Sequence, residues 1–116
     1  METITLPNLR RAIETRDGAT LAGFYADDAV LRIVDSVHPP SRPQEIKGRA
    51  AISAYYDDVC GRTMTHSVDF GIAEGDRLAF LQNCKYPDGK RVCCSATLEL
   101  RNGKIVRQLA VQAWDS

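Results

Sequence analysis

Helical and strand-like spacing divide the chain into two unequal parts. Leu6, Leu9 and Ile13 recur at helical spacing, with Arg10, Arg11 and Glu14 off that face, so LRRAIETR after Pro7-Asn8 predicts an amphipathic helix. Asp17-Gly18 breaks the pattern. Ala19 to Tyr25 predicts a short second helix that offers Leu21, Phe24 and Tyr25 to a core. Asp27 and Asp28 are expected to end it. A helix dipole disfavours carboxylates at that end, so their expected work is to accept bonds from turn amides. AVLRIVD then alternates as a strand, with Leu31, Ile33 and Asp35 on one face and Val30, Arg32 and Val34 on the other. SVHPPSRPQEIKG holds three prolines and reads as a semi-rigid loop. GRAAISAYYDDVCG reads as a third helix, with Ile52, Tyr55, Tyr56 and Val59 on one stripe and Gly61 as its stop.

The remainder is strand-like. Runs from Thr65 to Ala73, Leu78 to Tyr86, Arg91 to Arg101 and Ile105 to Trp114 are separated by Glu74-Gly75-Asp76, Pro87-Asp88-Gly89 and Asn102-Gly103. The last of these is a strong hairpin signal. Tight turns make consecutive strands antiparallel. Helices followed by a meander predict an α+β class: a curved sheet wrapped over a helical layer, residues 1–116 forming one domain. Three short helices cannot cover both faces of that sheet, so a homodimer is expected to hide the other.

Composition narrows the function classes. The 116 residues carry 15 basic and 15 acidic side chains, so no basic surplus exists for nucleic acid. No apolar run approaches the ~20 residues of a membrane span, and METITLPNLRRAIE lacks signal-peptide character, which predicts a cytoplasmic protein. Cys60, Cys84, Cys93 and Cys94 show no metal-ligand spacing, so no metal is expected. They read as reduced packing groups; a reactive thiol needs a base, and spacing suggests none.

FYADDAV, KGRAAISAYY, EGDRLAF and LELRNGKIVRQL, in that order and spacing, resemble the nuclear transport factor 2-like superfamily in its SnoaL-like and ketosteroid-isomerase-like branch. The resemblance covers essentially the whole chain. It implies a cone-shaped fold whose mostly antiparallel sheet wraps the N-terminal helices, an apolar pocket, and frequent dimers. Its members range from isomerases, cyclases, epoxide hydrolases and dehydratases to binding and association domains. The isomerase base falls at Ile33, its phenolic donor at Leu9 and its protonated acid at Ala96. All three are apolar here, so steroid isomerisation by that machinery is not expected. Tyr25 and Tyr56 match positions where such enzymes carry aromatic or phenolic residues.

Several polar side chains could line that pocket. Asp35 lies two residues beyond Ile33, on the same strand face, and burial among apolar groups would raise its pKa toward that of a general base. It could equally cap the strand end in water. His66, on a face with Val68, Phe70 and Ile72, is a second candidate for proton transfer, and His38 a third if it pairs with Asp35. The last strand offers Gln108, Gln112 and Trp114 on the face that resemblance turns inward. Hydropathy alone would instead bury Ile105, Leu109, Val111 and Ala113. Tyr56 could donate to a ligand oxygen, with Leu31 and Ile33 as an apolar wall. The expected function is proton transfer without a cofactor on a compact, mostly apolar carbonyl or hydroxyl compound: an isomerase, cyclase or dehydratase. The alternatives are a ligand-binding module and an association domain whose pocket is filled by its own side chains.

Overall fold

The computed structural model describes residues 4–115. Helix α1 (Leu6–Glu14) starts where the Thr5 hydroxyl accepts from the Asn8 amide at 3.1 Å, and it buries Leu9, Ala12 and Ile13. Helix α2 (Gly18–Gly23) is capped by Asp17, which holds both the amide and the hydroxyl of Thr20. The strands are β1 (Tyr25–Val34), β2 (Gln44–Lys47), β3 (Thr65–Glu74), β4 (Arg77–Lys85), β5 (Arg91–Arg101) and β6 (Lys104–Trp114), with α3 (Arg49–Gly61) between β2 and β3. Among the described residues they form one sheet in the order β2-β1-β6-β5-β4-β3. Every pairing is antiparallel except β1 with β6, which is parallel. The α+β class and the mostly antiparallel sheet are as the sequence predicts.

Three local expectations are corrected. Asp27 and Asp28 do not end a helix. The chain enters β1 at Tyr25, and the register with β6 jumps from Tyr25↔Ile105 to Val30↔Arg107. The extra residues bulge outward, so Tyr25, Ala29, Leu31 and Ile33 are all buried while both aspartates are exposed. Asp27 meets Arg49, the first residue of α3, at 2.8 Å. The proline-rich loop ends in a strand: β2 forms a short edge beside β1, placed after the last proline, where every residue can donate an amide. Gly48, at φ +88°, turns β2 into α3, a conformation that disfavours a side chain.

The third correction concerns β3. One extra residue sits between the pairs Asp69↔Leu81 and Ile72↔Ala79, and Phe70 takes a positive φ of 53°. The alternation therefore slips. His66 and Val68 face inward, whereas Phe70 and Ile72 are 80% and 67% exposed. Strand and helix approach closely here, since a Cβ on Gly71 would stand 3.2 Å from the Leu6 methyls. Glu14 fastens the same contact by accepting the Val68 amide at 3.0 Å.

The concave face carries two apolar clusters. The larger joins α1, α2 and α3 to the sheet through residues such as Leu9, Leu21, Ile52, Phe80, Leu98 and Ile105. The smaller holds Met64, Cys84 and Val92, with Tyr86 against it. No helix among the described residues is long and apolar enough to cross a membrane.

Candidate functional site

Between the two clusters lies a partly open cavity of about 320 Å³. Alternation explains its wall. On β6, Gln108, Ala110, Gln112 and Trp114 line it, while Leu109, Val111 and Ala113 are exposed on the other side. Ile105 departs from that parity: a register shift beside Glu99 and Leu100 returns it to the buried face. From β1 come Leu31, Ile33 and Asp35, from α3 Tyr55 and Tyr56, and from β3 His66. The cavity thus gathers Asp35, His66, Tyr56, Gln108, Gln112, Trp114, Leu31 and Ile33. His38 lies outside the lining, behind Asp35.

The floor is a phenol–phenol–amide chain. The Tyr25 and Tyr56 hydroxyls are 2.6 Å apart, and Tyr25 donates to Gln108 Oε1. A phenol has one proton, so the donation to Gln108 makes Tyr56 the donor to Tyr25. The Gln108 amide nitrogen then takes no partner from the described residues, and no buried side-chain nitrogen or oxygen among them lacks one. That nitrogen is therefore not sealed off, and Gln108 lines the cavity. Burial pushes Tyr25 and Tyr56 well above the ordinary phenol pKa, so both keep their protons. Tyr55 is pushed up to about 12, by burial first and the Cys94 thiol next.

Asp35 sits at the mouth, and its chemistry differs from the expectation. Burial would raise its pKa, but bonds from the His38 ring and from the Val37 and His38 amides outweigh it and hold the carboxyl below the ordinary value. All three bonds fall on Oδ1, at 2.8, 3.0 and 2.9 Å. Oδ2 takes none from the described residues. Asp35 thus caps the loop with one oxygen and lines the cavity as an ionised carboxylate.

His66 has a different neighbourhood. It stands directly opposite Cys84 in the β3–β4 register, with Nδ1 3.0 Å from Cys84 Sγ and 3.3 Å from Gln82 Nε2. Burial first, and Arg16 second, lower its pKa below the ordinary value. Spacing along the chain suggests no base for a cysteine, and the fold supplies one at Cys84. Adjacent strands bring together two residues that sequence spacing keeps apart.

Trp114 is a rim residue rather than a deep wall. It is 38% exposed, stacks on Tyr86 with centroids 6.0 Å apart, and donates to Gln112 Oε1 at 3.0 Å. Leu31 and Ile33 are buried apolar wall. Leu9, Ile33 and Ala96, where the resemblance places the isomerase's working groups, are also buried and apolar. Sequence reasoning missed Gln82, Cys84, Arg62 and Tyr86. The first two carry a usable signal, since strand alternation puts them on one face. Arg62 follows α3 and carries none; it donates to Asp58 at 2.6 Å and to the Tyr86 hydroxyl at 3.1 Å. Among the described residues, no three His, Cys, Asp or Glu side chains cluster as a metal would need.

The sequence signature of the SnoaL-like domain matches residues 8–108. Solved structures agree in fold. An NTF2-like protein of unknown function from Mesorhizobium loti is similar at a TM-score of 0.79 and 18% identity, over 93% of this chain and 87% of that one. A candidate ketosteroid isomerase from Kribbella flavida is similar at 0.76 and 19%, over 95% and 74%. A candidate isomerase from Bacillus subtilis is similar at 0.68 and 19%, over 93% and 83%. No curated protein matches the chain in sequence.

Proposed function

The chain belongs to the SnoaL-like domain family, of NTF2-like fold, and from that premise we propose that its cavity binds a compact, mostly apolar carbonyl or hydroxyl compound and moves a proton on it without a cofactor. The reaction class is isomerisation, cyclisation or dehydration. One observation carries the reading: a carboxylate with an unengaged oxygen and a polar floor face the same space of about 320 Å³, beside apolar wall from Leu31, Ile33, Met64 and Val92. That volume is at the small end of ligand pockets, which favours a compact molecule.

In this reading Asp35 Oδ2 accepts the proton from carbon or hydroxyl. Its depressed pKa keeps the basic form present at neutral pH but makes the base weak. A weak base leaves more of the barrier to the groups that stabilise the oxygen gaining charge. The floor can supply this with little movement of heavy atoms. Tyr25 turns its proton from Gln108 to Tyr56, and Tyr56 donates into the cavity. The Gln108 amide nitrogen and Gln112 complete the oxygen's contacts. His38 steadies Asp35, and His66 is a second proton acceptor on the opposite wall.

The test is Asp35→Asn, with conversion of 3-cyclohexen-1-one to its conjugated isomer followed by ultraviolet absorbance. We expect the rate to fall by at least ~100-fold; an unchanged rate removes Asp35 from the chemistry. The second reading is a binding module, favoured by the apolar residues at Leu9, Ile33 and Ala96. It predicts a change in Trp114 fluorescence on adding the ketone, with no turnover in the unmodified protein. A pure association domain would fill the cavity with its own side chains, and this one is open.

We also propose that two copies pair through the outer sheet face. Leu109 and Val111 lie there, 41% and 45% exposed. Sedimentation across a hundredfold concentration range checks it; a monomer throughout rejects it.

A further inference from the structure

The wall opposite Asp35 carries chemistry that proton transfer at Asp35 does not use. The β3–β4 register sets His66 against Cys84, and Gln82, two residues before Cys84 on the same strand face, reaches both. All three line the cavity. We propose that Cys84, His66 and Gln82 form a second reactive site, at which the Cys84 thiol adds across the C=C bond of a compact α,β-unsaturated carbonyl compound. The reading is independent of the role given to Asp35.

The hydrogen-bond directions support it. Gln82 Nε2 can only donate, and it lies 3.3 Å from His66 Nδ1, so Nδ1 carries the lone pair. The thiol 3.0 Å away is then the second donor to that nitrogen, which is the geometry a general base needs. Gln82 Nε2 also lies 3.5 Å from Cys84 Sγ and can stabilise a sulfur gaining charge. Burial keeps the resting pair neutral: it raises the thiol and lowers the imidazole. The thiol therefore holds its proton until an electrophile arrives. Thiolate is the nucleophile, and His66 generates it at the moment of attack.

The step balances without a co-reactant. The S–H proton passes to His66 Nδ1 as a sulfur pair forms the bond to the β-carbon. The C=C pair moves toward the carbonyl oxygen as an enolate. The imidazolium then returns the proton to the α-carbon. The sum is addition of S–H across C=C, with nothing oxidised or reduced overall. An enone suits the surroundings, since its ring or chain can lie on the apolar wall.

Cys94 supplies an internal comparison. It lines the same cavity and is 8% exposed, as Cys84 is. It has no hydrogen-bond partner among the described residues, and burial pushes its pKa up to about 12. Cys93, exposed on the far face, reports general reactivity. The experiment treats the folded protein with 2-cyclohexen-1-one and follows each cysteine by peptide mass mapping. Cys84 should form its adduct at least about tenfold faster than Cys94. In His66→Gln the Cys84 rate should fall at least about tenfold while Cys93 keeps its rate. Should that variant fail to fold, with Cys93 and Cys94 reacting alike, the Cys84-to-Cys94 ratio in the unmodified protein decides alone. Cys94 reacting as fast as Cys84, reaction confined to Cys93 and Cys60, or an undiminished Cys84 rate in folded His66→Gln would each overturn the proposal.

Discussion

The same strands build two different ends. Around Phe80 and Leu98, β4 and β5 are roofed by α1 and α2, and the inner face packs into a solid core. A residual space of only about 30 Å³ remains among side chains such as Leu9, Ile13, Leu21 and Phe80. Four to six residues along, the same two strands present Cys84 and Val92, and no helix of the first pair covers them. There the alternation is as regular, but α3 alone stands opposite, through Tyr55, Tyr56 and Val59, and a cavity ten times larger opens. Apolar alternation thus fixes which side chains turn inward. Whether they meet a partner or a void depends on how far the helices reach.

The largest test of that contrast is a pair of truncations. Phe80→Ala should cost about 3–5 kcal/mol, because a packed site cannot collapse around the loss. Met64→Ala, bordering the cavity, should cost about 2 kcal/mol, since part of its surroundings is already empty. Urea unfolding measures both, and equal costs would mean that the ends are packed alike. A sharper test uses two alanines paired across β5 and β6, Ala96↔Ala110. Ala110 lines the cavity and Ala96 does not. Ala96→Leu should lose about 1–3 kcal/mol to overpacking. Ala110→Leu should change stability by less than about 1 kcal/mol and abolish binding of a small ketone. The reverse order would place the void elsewhere.

The smallest effect is that of pH. The cavity end holds His66, whose folded pKa lies below the ordinary 6.5. The unfolded chain binds its proton first, so His66 contributes fully above about pH 6.5 and less as the pH falls from there to the folded value. Asp35 acts lower. Its depressed carboxyl contributes above the ordinary 3.8, and that contribution disappears as the pH falls below it through the folded value. Hydrogen exchange between pH 7 and 5 should therefore loosen amides near His66 and Val92 before those near Phe80. His66→Gln should remove this early step; loss of protection at both ends together would contradict it.

Much of this contrast is legible in the sequence. Alternation from Arg91 to Arg101 puts Val92, Cys94, Ala96, Leu98 and Leu100 on one face; the first four are buried because nothing interrupts β5 over that span, Leu100 is half-buried past the register shift at Glu99, and Asn102-Gly103 marks the turn. The turn onto β1 carries no such mark. Phe24 and Tyr25 fit helical spacing from Leu21 as well as they fit a strand, and only the bulge opposite β6 shows how Tyr25 and Ala29 are both buried. Alternation groups Phe70 and Ile72 with His66, because a one-residue insertion in β3 leaves no mark on the alternation before it. Strand alternation puts Asp35 on the cavity face but does not carry the sign of its pKa shift. Three donors from its own loop decide that sign, and loop closure is a property of the fold. The Cys84–His66 contact was out of reach for the same reason, being set by register between strands.

The parallel pairing of β1 with β6 has a consequence for how the chain is made. β6 lies inside the sheet, with β1 on one side and β5 on the other, so the penultimate and earlier strands cannot join the β1–β2 ribbon directly. Before residues 104–114 pair, no strand ladder joins the β1–β2 ribbon to the β3–β5 meander, and helix contacts such as Glu14 on the Val68 amide are what span the two. Contacts so distant along the chain make for slow folding, and a ribosome stalled before this strand would hold two unsealed sheet edges.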